Sequence, residues 1–206
     1  MVVRQETRPG SGAGTQPEEF RLAVASMGAA HLRPEIFCEA MPAPQRIAPH
    51  ASALSADVTV DEEDIGTGRI ILLHDPAGND AWSGEFRLVA YARAEIDPEL
   101  AADPLLAGVG WTWLTEALDA HGASYLVPSG TVTTVTTENF GGMAEEEGTA
   151  QIEIRASWTP ELPEDCDISA HVEAWGELLC TAVGLEPVPD GVTAIPSRRG
   201  QRGQDQ

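Results

Sequence analysis

Three segments of this chain alternate between apolar and polar side chains, and no other feature restricts the fold as strongly. A period of two is typical of a β-strand that buries one face and exposes the other. The alternating segments are residues 54–60, 85–96 and 151–158. Short turns between consecutive strands favour antiparallel pairing. We therefore expect an antiparallel sheet with one face packed on helices and the other face open.

The longest alternating segment assigns its side chains to the two faces of this sheet. The residues expected to face the helices are Phe86, Leu88, Ala90, Ala92, Ala94 and Ile96. Those expected to face outward are Glu85, Arg87, Tyr91, Arg93 and Glu95. In residues 151–158 the same alternation places Arg155 outward. Several arginines are thus predicted to share the open face.

Helical spacing of apolar residues occurs in three further segments. The first spans residues 17–32 and begins with Pro17, which suits the first helical position. The second follows Pro104 and ends at Gly122. Its core stripe is expected to comprise Leu106, Val109, Trp113, Ala117 and Ala120, widened by Leu114 and Leu118. The third is capped by Asp167 and ends at Gly184.

The remaining segments complete the predicted order of elements. A strand is expected at residues 69–74 and a Thr-rich edge strand at 131–140, with turns at 61–68 and 75–80. Residues 33–49 contain four prolines and are expected to be irregular, held by packing of Ile36, Phe37 and Met41. The prediction is an α+β, two-layer fold of order α-β-β-β-α-β-β-α. One domain, 17–186, is expected between disordered tails at 1–16 and 187–206.

Charge composition excludes several functions. All 12 basic residues are arginine, so any chemistry that needs a lysine on a phosphate or in a Schiff base is excluded. The 33 acidic residues give a formal net charge of −21, which disfavours nucleic acid and anionic membranes as direct partners. We expect another protein as partner, a basic one being favoured, with a homodimer as an option and no cofactor. Three cysteines without a CxxC pair and the lack of an apolar leader indicate the cytoplasm.

Two acidic runs are the candidates for a metal site. Their carboxylates are Asp61, Glu62, Asp64, Glu145, Glu146 and Glu147. Neither run has the ligand spacing of a calcium loop, and solvated turns are the interpretation that such runs favour. An enzyme that uses these carboxylates with a divalent cation remains an alternative.

A partner-binding site is the other candidate. Trp111 and Trp113 point about 160° apart on a helix, so they cannot both face one core. Trp111 is expected at an interface or at a groove rim, although packing beneath the proline-rich stretch is also open. The candidate binding residues are Trp111, Arg87, Tyr91, Arg93 and Arg155.

Four stretches resemble an uncharacterised actinobacterial family, a domain of unknown function. They are residues 33–37 (RPEIF), 42–49 (PAPQRIAP), 108–118 (GVGWTWLTEAL) and 141–143 (GGM). This resemblance implies no activity and no site residue. The element order and acidity are also similar to type III secretion chaperones, which implies binding of a partner segment without catalysis. The leading hypothesis is a non-catalytic protein-binding adaptor or chaperone-like module, and a further alternative is an acidic nucleic-acid mimic that inhibits a basic partner.

Overall fold

The computed structural model describes residues 16–187, in which six antiparallel strands form one sheet. Their order across the sheet is β1-β2-β3-β4-β6-β5. The strands are β1 (Ile36–Met41), β2 (His50–Val60), β3 (Glu63–Asn79), β4 (Gly84–Ile96), β5 (Tyr125–Thr137) and β6 (Thr149–Pro160). The helices are α1 (Glu18–Ala29), α2 (Pro98–Ala101), α3 (Leu106–Ala120) and α4 (Ser169–Ala182), with a 3₁₀ turn at Gly141–Met143.

The α+β class and the antiparallel sheet are confirmed, and α1, α3 and α4 bury their apolar residues in one core with the strands. Apart from residues 16 and 187, the predicted tails lie outside the described residues. Within the described range no helix is both long and apolar enough to cross a membrane.

Strand β1 contradicts the expectation that residues 33–49 are irregular. All six of its residues pair with β2, from Ile36 opposite Val58 to Met41 opposite Ala53. The nearest prolines lie just outside the strand, where a missing backbone N–H does not interrupt the ladder. Ile36 is buried as expected, whereas Phe37 is 65 % exposed and does not anchor this stretch.

The other strands are longer than predicted, because the turns are shorter. Only Asp61 and Glu62 separate β2 from β3, and both adopt positive φ, at 51° and 74°. Strand β3 continues through the predicted turn at residues 75–80, with an irregular register, and the chain reverses at residues 80–83. Strand β5 is an edge strand as predicted, but it begins at Tyr125.

Helix α3 buries only part of the predicted stripe. Leu106, Leu114, Ala117 and Leu118 are buried as expected and Gly110 joins them, whereas Val109 is 43 % exposed and Ala120 is exposed. Gly110 explains the rotation, because a Cβ there would lie 3.1 Å from Cδ1 of Ile152 and 3.3 Å from Cγ1 of Val132. The helix backbone therefore comes closest to the sheet at this glycine, and Trp113 moves to a half-buried position.

Helix α4 packs on the centre of the sheet against glycines of β3. A Cβ at Gly68 would lie 2.7 Å from Cδ2 of Leu179 and 2.9 Å from Cζ2 of Trp175. Trp175 is fully buried, and its Nε1 donates a hydrogen bond to the carbonyl oxygen of Tyr91 at 3.2 Å. The absent side chain in β3 thus makes room for the largest side chain of α4.

Replacing Gly68 with alanine is expected to lower the free energy of unfolding by about 1–3 kcal/mol, because the added methyl group overpacks this contact. The matched control is Gly28→Ala on the exposed side of α1, where a Cβ meets nothing within 4 Å. That variant is expected to gain about 0.5–1 kcal/mol from helix propensity. Urea unfolding followed by circular dichroism measures both changes, and an unchanged midpoint for Gly68→Ala would contradict the packing described.

Candidate functional site on the open sheet face

The sheet face opposite the three long helices carries most of the arginines in residues 16–187. Cross-strand pairs share a face, so the register places Arg69 beside Tyr91 and Tyr91 beside Arg155. On β4, Arg87 lies four residues before Tyr91 and Arg93 lies two residues after it. Both therefore face the same side of the sheet as Tyr91. Residues 16–187 contain seven arginines, and four of them are on this face.

Carboxylates of the same rows nearly balance these charges. The face carries Glu39, Asp57, Glu85, Glu95 and Glu153, one acid more than the arginines. The other 8 basic residues of the chain stand against 28 acidic ones, after these nine groups are subtracted from the totals of 12 and 33. Formal charge is thus nearly balanced on the open face and strongly negative on the rest of the chain.

Three side chains on this face, those of Tyr91, Arg155 and Glu153, contact one another. The guanidinium carbon of Arg155 lies 5.3 Å from the Tyr91 ring centroid, a distance that permits a cation–π interaction. Arg155 Nη2 is 2.6 Å from Glu153 Oε2, and the hydroxyl of Tyr91 donates to Glu153 at 3.3 Å. Burial is the main cause that raises the pKa of Tyr91, and the negative charge of Glu153 raises it further. Arg93 Nε donates to Gln151 at 2.9 Å, which extends the contacts along β6.

Arg87 faces the same side as predicted, but it is only 7 % exposed. Its Nη1 donates to Val127 O at 3.0 Å and to Thr159 Oγ1 at 3.1 Å. Its Nη2 donates to the carbonyl oxygen and hydroxyl of Ser157 and to Ser129 Oγ, at 3.1, 2.8 and 3.2 Å. Within residues 16–187 no carboxylate forms a salt bridge with this guanidinium. Burial alone lowers the pKa of Arg87.

The start of β5 explains why Arg87 is buried. The register of β5 against β6 shifts between Leu126 and Ser129, where the strand bulges. Val127 in this bulge has φ 41°, a genuine outlier for a β-branched residue, and its carbonyl accepts from Arg87. The bulged backbone supplies acceptors to the guanidinium, and a local sequence pattern did not reveal this long-range contact.

The structure separates Trp111 from the other predicted binding residues. Trp111 lies half-buried on α3, on the helical side of the sheet. A Cβ at Gly130 of β5 would lie 2.7 Å from Cζ3 of Trp111, and closer still to the carbonyl oxygen of Arg155. Arg87, Tyr91, Arg93 and Arg155 share the open face, whereas Trp111 covers the edge strand from behind. The binding residues predicted from the sequence did not include Ser129, Ser157 and Phe37, which also belong to the open face.

The two acidic runs lie at one end of the sheet without forming a cluster. Asp61 and Glu62 form the β2–β3 turn, and Asp64 accepts from the Thr59 hydroxyl at 2.8 Å. The run at residues 145–147 lies between the 3₁₀ turn and β6, and its carbonyls at Glu146 and Glu147 accept from Asn139. Among residues 16–187, no three His, Cys, Asp or Glu side chains are grouped in a way that suits a metal ion.

Two buried histidines belong to the core. His74 stacks on Phe86 with ring centroids 4.2 Å apart, and both of its ring nitrogens lack a hydrogen-bond partner. Burial is the main cause that lowers the pKa of His74, and repulsion from His50 lowers it further. His171 on α4 accepts a hydrogen bond at Nδ1 from Trp158 Nε1 at 3.2 Å, and burial lowers its pKa to about 4, partly offset by Asp167. Both imidazoles are therefore neutral near pH 7.

Removing the Arg87 side chain is expected to lower the free energy of unfolding by about 2–4 kcal/mol, because Arg87→Ala leaves two backbone carbonyls and three hydroxyl contacts unmatched. Amide hydrogen exchange at residues 126–131 should also accelerate. Arg93→Ala is the matched control, since Arg93 donates one side-chain hydrogen bond and should cost less than about 1 kcal/mol. Equal losses in the two variants would contradict a special role for Arg87.

Acid should destabilise the protein partly through His171. The folded-state pKa of about 4 lies below the usual value of 6.5, so the unfolded chain binds a proton first and stability falls as pH decreases from 6.5 towards 4. Between pH 7 and pH 4.5 the wild type is expected to lose about 2 kcal/mol more than His171→Gln. Urea unfolding at a series of pH values measures the difference. Parallel pH profiles for the two proteins would refute it.

Comparison with known proteins gives one match. Neither the search of curated proteins nor the search of solved structures found a match. The family model described as "Protein of unknown function (DUF3000)" matches residues 16–193, a span that includes every strand and helix named above. The predicted membership in an uncharacterised family is confirmed, while the actinobacterial and chaperone-like resemblances stay predictions. The chain belongs to the DUF3000 family.

Proposed function

We propose that this chain is a protein-binding adaptor that pairs with a second copy of itself through the open sheet face. The observation that carries the proposal is the nearly balanced charge of this face, with four arginines and five carboxylates, in a chain of net charge −21. Two copies repel each other wherever acidic surfaces meet, and repulsion is weakest where arginines and carboxylates alternate. The open face is therefore the surface through which a second copy can approach most easily.

The side chains of the face also suit a protein interface. Phe37 is 65 % exposed on β1, and Ile71 and Val89 are half-buried neighbours on β3 and β4. Tyrosine and arginine, which lie at the centre of the face, are the residue types enriched where protein partners bind most tightly. In such an interface the apolar side chains bury surface, and the paired charges around them orient the partner.

The size of the face is adequate for a stable pair. Strands lie about 4.8 Å apart and residues about 3.3 Å apart along a strand. A face six strands wide and about eight residues long therefore covers on the order of 750 Å². A standard interface buries roughly 800 Å² on each partner, so two such faces meet the requirement.

Pairing through this face leaves the helical layers on the outside. The excess of acidic residues over arginines then lies away from the contact. An acidic exterior attracts a basic protein, which is the partner class that we propose for the assembled pair. This second contact should weaken with salt, whereas the contact between two acidic copies should strengthen as salt screens their repulsion.

The test compares two substitutions by sedimentation velocity. Phe37→Glu places a charge on the open face, and Leu105→Glu places the same charge at a site of similar exposure, 69 %, immediately before α3. Wild type and Leu105→Glu are expected to sediment as dimers, and Phe37→Glu as a monomer. Raising NaCl from about 50 mM to about 300 mM should increase the dimer fraction of the wild type.

Circular dichroism confirms that each variant is folded before it is sedimented. A monomeric wild type at high salt, or equal dimer fractions in both variants, would rule out the open face as the pairing surface. Pairing that weakens as salt rises would contradict the electrostatic basis of the proposal.

A further inference from the structure

We infer that the open face contains a binding site for an oxyanion, of the carboxylate class, in the shallow depression between β5 and β6. The depression is lined by Ser129, Thr131, Arg155 and Ser157, with Val89 and the backbone of Gly130 and Ala156 at its base. This inference does not rest on the pairing of two copies, because it concerns the chemistry of these side chains alone.

Arg87 gives the site its charge. The guanidinium lies beneath the two serines and is held by neutral acceptors only, so its positive charge has no counterion among the described residues. A buried charge without an opposite charge is costly, and an anion bound nearby lowers that cost. The guanidinium therefore adds positive potential where its acceptors reach the surface.

The serine hydroxyls transmit this charge outward. Ser129 Oγ and Ser157 Oγ each accept a hydrogen bond from Arg87 Nη2, which directs their own hydrogens away from the guanidinium. The two hydroxyl oxygens are 3.3 Å apart, and only one of them can donate to the other. The second hydroxyl hydrogen is left to donate to a ligand. Hydrogen bonds in series polarise one another, which strengthens this donor.

Arg155 provides the charged rim. Its side chain is 56 % exposed and contacts Glu153 through Nη2, so its guanidinium has further donors for a ligand. A carboxylate accepts two parallel hydrogen bonds from an arginine, and serine or threonine hydroxyls complete its remaining acceptor sites. A buried cation, polarised hydroxyls and a rim arginine together select an oxyanion over a neutral ligand.

The strained bulge supports a built site. Val127 adopts φ 41°, and its carbonyl oxygen is one of the acceptors that hold Arg87 in place. Backbone strain of this kind costs on the order of 1–3 kcal/mol and persists where the surroundings enforce it. Here it fixes the guanidinium under the serines before any ligand arrives.

The test is an NMR titration of the full-length, ¹⁵N-labelled chain with sodium acetate at constant ionic strength. The amides of residues 129–131 and 155–157 are expected to shift in a saturable way. Arg155→Gln should weaken acetate binding about ten-fold, the effect of one charge-assisted hydrogen bond. Arg69→Gln is the matched control on the same face, outside the depression, and should change the dissociation constant less than about two-fold.

Two peptides identify the source of the carboxylate. Acetyl-Gly-Gly-Gly is used with a free C-terminal carboxylate and with an amidated terminus. Tighter binding of the free acid than of acetate indicates a carboxylate of a protein partner, and equal binding indicates a small free acid. The amidated peptide should not bind.

Three results would overturn the inference. They are linear shifts that do not saturate, equal weakening by Arg155→Gln and Arg69→Gln, and binding of the amidated peptide as tight as that of the acid. Phe37→Glu should bind acetate at least as tightly as the wild type, because a monomer leaves the depression uncovered. Loss of pairing in that variant together with retained acetate binding therefore separates the two proposals.

Discussion

The packing of α4 into the glycines of β3 is the contact on which the rest of the structure depends. Trp175 and Leu179 occupy the space that a side chain at Gly68 would fill. This contact draws the helical layer onto one face of the sheet, and α1 and α3 join α4 there. The other face must then carry the polar rows, because no long helix remains to cover it. Because the helices all pack on the first face, the second face is open to a partner.

The alternating pattern predicted the strands well where one face packs on helices and the other face is open. Strands β4 and β6 were predicted from the sequence because their small and branched apolar residues alternate with polar ones and face a continuous helical layer. Strand β1 was missed because the flanking prolines were given more weight than its own alternation of Ile36, Cys38 and Ala40. The α3 stripe was placed too far towards Val109 and Trp113, whereas Gly110 decides which side of the helix approaches the sheet. Backbone proximity of this kind depends on the partner element and is invisible in a local window.

The candidate site was predictable in part for the same reason. Alternation alone placed Arg87, Tyr91, Arg93 and Arg155 on one face, and the register agrees. The burial of Arg87 depends on a bulge forty residues further along the chain. Lysine could not replace it, because a single ammonium has three donors and this position provides five acceptors. A chain that uses only arginine is therefore suited to this position, whatever the origin of that composition.

The strand order has a consequence for how the chain folds. Strands β1 to β4 pair with their sequence neighbours, so each hairpin closes a short loop and can form early. Strand β4 next pairs with β6, and β5 can join only the far side of β6. Strands β5 and β6 are also sequence neighbours and can form a hairpin of their own, but more than fifty residues, including α3, must be closed as a loop before this hairpin docks on β4. Arg87 lies on β4 and its acceptors lie on β5 and β6, so the guanidinium stays hydrated until the hairpin docks.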